Sequence, residues 1–228
     1  MNISESVERL LSKIKDMLEI DYVKDTQELI MLESHIDFLS KIVNSVSKVS
    51  NDYKLNNAWK CISRGLNEEK SINELYNYVC GSSDRAFYIS DSFKRIILSN
   101  SNISSAVLAY IIGEIVKGNR DFTQEDVILY DALSHMTDFD IKNFVDIVDN
   151  YVGWDEIGND YINLPGIPEI TYILTLKLCV NVRLIDLKTT VLTQDYMNSG
   201  EFYKCTFLAY KLREYISKTK QLLNYSIS

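Results

Sequence analysis

Proline occurs only twice in 228 residues, and glycine only eight times. So few chain breakers exclude a turn-rich all-β fold and predict long helices. Histidine is as scarce as proline. His35 and His135 stand far apart and match no ligand spacing such as H-E-x-x-H, so each is expected to be a structural or surface residue. The four cysteines, Cys61, Cys80, Cys179 and Cys205, form no C-x-x-C pair and sit in apolar contexts. Buried free thiols of a reducing compartment are expected, with no disulfide framework. No run is long enough to cross a bilayer: the longest apolar stretch, AVLAYIIGEIV at 106–116, contains Glu114. The first residues, MNISESVERLLSKIKDM, lack a basic leader followed by an apolar block. A soluble cytoplasmic protein without membrane contact is expected.

Catalytic templates are also missing. There is no G-x-S-x-G elbow, no G-x-x-x-x-G-K-[ST] loop and no G-x-G-x-x-G after a strand. Asp149, Asp155, Glu156 and Asp160 gather near one another in sequence but lack the D-x-[DN]-x-[DN]-G spacing of a calcium loop. They read as a solvated acidic stretch. No catalytic residue, metal ligand or cofactor is expected.

What is present is helical periodicity. Leu29, Leu32, Ile36, Leu39, Val43 and Val46 follow a heptad-like seam, predicting a long helix over 27–49. It suits packing within a bundle or a homodimeric coiled coil. Helices are expected near 54–66, 72–80 and 84–99, with Ser71 and Glu74 as the capping box of the second. Residues 103–117 are apolar nearly all round, the mark of a central buried helix. Ser105, Ala109 and Gly113 recur there every four residues, small enough to let a neighbouring helix approach closely. Thr123 with Asp126, and Thr137 with Asp140, cap two consecutive helices, 124–135 and 138–151. Residues 153–168, GWDEIGNDYINLPGIP, hold both prolines and three glycines and read as a loop. A helix at 169–180, two strands around the Asn-Ser-Gly turn and a helix at about 207–223 complete the pattern, with Thr206 as the last N-cap.

Charge divides the chain unevenly. Residues 1–169 carry 16 Lys/Arg and 28 Asp/Glu, a net of −12, whereas 170–228 carry 8 and 4, a net of +4. The fold class expected is mainly α: an N-terminal helical bundle, 1–120, and a C-terminal unit, 121–228, with a two-stranded β-hairpin. The loop at 152–168 lies inside the second unit or serves as a linker.

Over 123–223 the element order, with LKLCVNVRLI carrying a helix into the first strand, resembles a winged helix-turn-helix domain. That resemblance implies a DNA-binding transcriptional regulator, for which Lys177, Arg183, Lys188 and Lys204 are the nucleic-acid-binding candidates. The loop at 153–168 is longer than a compact helix-turn-helix allows. Charge also opposes the implied function. Residues 121–169 hold twelve Asp/Glu and one Lys, Lys142, and would repel phosphates. The expectation is therefore a non-catalytic protein–protein interaction or regulatory protein. Its partner is a protein with a basic surface, contacted through Trp154, Asp155, Glu156, Asp160 and Tyr161. High Asn, Ile, Lys and Ser usage suits a bacterial or phage origin.

Overall fold

A computed structural model describes residues 48–63, 68–79, 81–99, 101–154, 160–162, 170–189 and 201–223. The long helix expected at 27–49 falls outside these residues apart from its last two positions, and with it the coiled-coil dimer. Among the described residues the chain is mainly α, with eight helices and a C-terminal β-hairpin. It divides into two compact units: Met1–Thr123 with Thr219–Tyr225, and Gln124–Lys218 with Ser226–Ser228.

The first unit holds α1 (Lys48–Ser63), α2 (Glu68–Val79), α3 (Ser83–Leu98) and α4 (Asn102–Lys117). As its apolar circumference predicts, α4 is central: its residues from Ser104 through Gly113, and Ile115, are all buried. Its small residues serve two neighbours rather than one. Gly113 meets the backbone of α1, where a Cβ would stand 3.0 Å from the Ile62 carbonyl oxygen. Ser105 instead donates its hydroxyl to the Ile96 carbonyl of α3, 2.9 Å away. Trp59 and Ile62 of α1 and Phe93, Ile96 and Ile97 of α3 complete the core, while Phe87 stays exposed.

Two helix starts differ from those the sequence predicts: α1 begins at Lys48 rather than near 54, taking in the last two positions assigned to the helix at 27–49. Helix α2 begins at Glu68, so Ser71 lies within its first turn and does not cap it. Residues 68–70, EEK, are good helix formers with acids at the favoured end, which extends the helix past the Ser71 signal. At the end of α4, Gly118 is the cap, and the left-handed residue is Asn119, with φ 43°. Arg120 N–H donates to the Ile115 carbonyl and Asn119 N–H to that of Val116, a Schellman closure. Arg85 holds this turn in place. Its guanidinium bonds Asp121 at 2.7 Å and Asn119 at 2.9 Å and lies over the Tyr78 ring.

The second unit holds α5 (Gln124–His135), α6 (Asp138–Asn150), β1 (Val152–Trp154), β2 (Asp160–Ile162), α7 (Ile170–Asn181), β3 (Ile185–Thr189) and β4 (Glu201–Cys205). Helix α8 (Phe207–Leu223) starts within it. Met136 and Thr137 alone separate α5 from α6, the tight corner expected. Thr137 accepts from Asp140 N–H, while the Asp140 carboxylate accepts from Thr137 N–H, a complete capping box. The flanking Met136 and Ile141 are both buried.

The hairpin β3–β4 pairs antiparallel from Ile185↔Cys205 to Thr189↔Glu201. The stretch read as a loop at 153–168 adds two short strands. β1 pairs with β2, and β2 reaches β4 through Ile162↔Tyr203, giving a sheet of order β1-β2-β4-β3. Ile162 and Tyr203 are both buried, which explains why a three-residue strand holds.

Helix α7 joins β3 through a second Schellman closure. Leu184 N–H donates to the Cys179 carbonyl and Arg183 N–H to that of Val180, with Arg183 at φ 63°. A β-carbon is strained there, so Arg183→Gly is expected to raise unfolding free energy by about 0.5–1 kcal/mol in urea titration. A loss of that size instead would show that the arginine side chain contributes contacts outweighing its strain.

Candidate functional site

The α6–α7 joint is tied by a polar cluster. Thr175, fully buried, donates its hydroxyl to Asp140 at 3.0 Å and accepts from Asn143 Nδ2 at 3.2 Å. Tyr172 donates to Asp146 at 2.7 Å and meets Tyr151 edge-on. Thr206, expected to cap α8, donates its hydroxyl to the Leu184 carbonyl at 2.8 Å, fixing the start of α8 beside the α7–β3 joint.

Most described acids of this unit are occupied in the same way. Lys211 bonds Glu125 at 2.8 Å, and Arg213 grips Asp149 through two bonds of 2.7 and 2.8 Å. The hydrogen bonds to Asp149 push the Arg213 guanidinium still further above its ordinary pKa. Asp126 is fully buried. The complementary charges of the two sequence halves thus meet inside one unit. Each exposed pair contributes little to stability, of order 0–1 kcal/mol, but each also removes a charge from what a ligand meets.

The nucleic-acid candidates separate accordingly. Lys188 lies 3.4 Å from Asp186, and Lys204 faces Asp186 across the β3–β4 register. Lys177 and Arg183 are exposed and have no carboxylate partner among the described residues. Of the protein-binding candidates, Trp154 is opposite Asp160 in the β1–β2 register, and Tyr161 is opposite Gly153. Asp155 and Glu156 lie outside the described residues. The structure therefore brings Trp154, Asp160 and Tyr161 onto one small hairpin.

Helix α7 carries an exposed face that the sequence alone does not place. Thr175, Leu176 and Cys179 face inward, while Ile170, Ile173 and Leu174 are 73%, 42% and 59% exposed. With the exposed Lys177 and Asn181 they make a single stripe at i, i+3, i+4, i+7 and i+11. The signal in the sequence is a short helix, ITYILTLKLCVN, with more aliphatic residues than one buried face can hold. Aliphatic side chains cannot bond base edges or phosphates. They suit a protein surface.

Cys179 itself is fully buried. Burial, with Asp140 and Cys205 nearby, pushes its thiol far above the ordinary value. The unfolded thiol ionises from about pH 8.5. The stabilisation from this group is full below that pH and declines as pH rises toward the folded value, by at most about 1.4 kcal/mol per pH unit. Iodoacetamide is expected to modify Cys179 of the folded protein at least about tenfold more slowly than in urea at pH 8. Equal rates would contradict its burial. His135 is exposed on the surface, with Nδ1 2.8 Å from the Asp131 carbonyl oxygen.

Among the described residues no cluster of three His, Cys, Asp or Glu side chains is placed to hold a metal ion, and no helix is long and apolar enough to cross a membrane. No protein-family model, no curated protein and no solved structure matches the chain.

Proposed function

We propose that this is a non-catalytic protein-interaction or regulatory protein whose C-terminal unit contacts a protein partner through α7. One observation carries the proposal: the outward face of α7 presents Ile170, Ile173 and Leu174 where a groove-reading helix needs polar and cationic side chains. A contiguous stripe of exposed aliphatics is how an amphipathic helix docks in the apolar groove of a protein partner. Capture of the tagged full chain from its native host, followed by mass spectrometry, tests this. The double variant Ile173→Asp/Leu174→Asp, with an unchanged melting temperature, is expected to lose the protein held by the wild type. Equal capture by both would overturn the assignment of α7.

A basic surface on the partner remains part of the proposal at the β1–β2 hairpin, through Trp154, Asp155, Glu156, Asp160 and Tyr161. Charge reversal at Asp155 and Glu156 is expected to weaken capture, and unchanged capture removes the hairpin from the contact. The second reading, a DNA-binding regulator, is favoured by the passage of α7 into the β3–β4 hairpin and by the uncompensated Lys177 and Arg183. It requires a salt-sensitive gel shift that weakens with Arg183→Ala or Lys188→Ala.

A further inference from the structure

We infer that the α7 stripe receives an acidic amphipathic helix of the partner protein; this rests on the protein-interaction proposal above and adds the chemistry of the docked segment. The stripe is graded along its length. Its first turn is aliphatic, with Ile170, Ile173 and Leu174 exposed. Its second half is cationic and polar, with Lys177 and Asn181 on the same face and Arg183 just beyond the helix end. From residue 170 to residue 181 it runs about 16 Å, three turns of helix.

The shape of this surface selects a helix as its occupant. A ridge of side chains at i, i+3 and i+4 packs into the matching groove between side-chain rows of another helix. Apolar residues at the same spacing on the partner would cover the aliphatic turn.

Charge selects the sign. Lys188, Lys211, Arg213 and Lys218 each have a carboxylate within salt-bridge distance in this chain. Lys177 and Arg183 are exposed and have none among the described residues; Lys177 lies on the stripe and Arg183 two residues past the end of α7. A docked helix therefore needs Asp or Glu at the end that meets Lys177 and Arg183. Carboxylates there gain attraction and orient the segment on the ridge. A basic segment would meet two uncompensated cations.

Site-specific photo-crosslinking of the full chain in its native host tests this, with benzoylphenylalanine placed in turn at the exposed Thr171 and Asn181. Both sites are expected to label one protein. The peptide labelled from position 181 should carry two or more Asp or Glu beside apolar residues at three- and four-residue spacing. That peptide, synthesised, should bind the wild-type protein and lose about five- to tenfold in affinity with Lys177→Glu and at least about thirtyfold with Ile173→Asp. A labelled peptide that is basic or lacks helical spacing, labelling of a second copy of this chain, or unchanged affinity with Lys177→Glu would overturn the inference while leaving a protein-contact role in place. Crosslinking to nucleic acid without protein would overturn both.

Discussion

Gly113→Leu is expected to lower the stability of the N-terminal helical unit by about 3–5 kcal/mol, enough to leave it unfolded if the unit is of ordinary stability. The reason is local and has no room for relief. A Cβ at this position would stand 3.0 Å from the Ile62 carbonyl oxygen, 3.2 Å from that of Cys61 and 3.2 Å from the Ile62 Cα. These are backbone atoms of α1, not the ends of flexible side chains, so the two helices must part. Helix α4 is buried almost all round, and displacing it from α1 disturbs its packing on α3 as well. Alanine separates the two opposing terms. It gains about 1 kcal/mol of helix propensity over glycine but still introduces the close Cβ contact. Gly113→Ala is therefore expected to fall within about 1 kcal/mol of the wild type, far from leucine. Urea unfolding followed by circular dichroism measures both. A leucine variant with the wild-type midpoint would show that α1 and α4 do not approach at Gly113.

The second large effect is expected at Asp140. One carboxylate oxygen accepts from Thr137 N–H at 2.9 Å and from the Thr137 hydroxyl at 2.6 Å, and the other accepts from Thr175 at 3.0 Å. Alanine removes the reciprocal half of the α6 cap, worth about 1 kcal/mol. It also leaves the hydroxyl of a fully buried threonine without its acceptor, worth a further 1–2 kcal/mol by order of magnitude. Asp140→Ala should thus cost about 2–3 kcal/mol, and Asp140→Asn less, because an amide oxygen can keep one of the bonds. A double-mutant cycle with Thr175→Val should return a coupling of about 1 kcal/mol or more. Additive losses would mean that Asp140 acts only on its own helix.

Much of this architecture is legible in the sequence. Helix α8 spans Phe207–Leu223, the range its periodicity predicts, and α5, α6 and both hairpin strands lie where caps and alternation put them. Those signals are local: a Thr with an Asp three residues later fixes its own helix start. The strands β1 and β2 were hidden because each is only three residues long, too short for alternation to register among Gly153, Gly158 and Pro165. They exist through long-range pairing with β4, and no local window contains that. The sequence shows the sum of the charge but not its pairing. Residues 121–169 are strongly acidic, but Glu125, Asp140, Asp146 and Asp149 are held by Lys211, Thr175, Tyr172 and Arg213. Those partners lie 26 to 86 residues away. The sequence marks α7 as too apolar to face a DNA groove, but which side is exposed depends on equally distant neighbours. Ile170, Ile173 and Leu174 look like core residues until the neighbours of Thr175, Leu176 and Cys179 show which side faces inward.

Charge in the C-terminal unit is largely satisfied within the chain, and the proposed protein contact rests on the exposed Ile170, Ile173 and Leu174 of α7. Hydrogen–deuterium exchange on the captured complex, compared with the free protein, tests it most directly. Slower exchange over Ile170–Asn181, with strands β3 and β4 unchanged, is the result expected. Unchanged exchange over α7 together with protection of β3, β4 and the cations of α8 would place the contact on the hairpin side and contradict it.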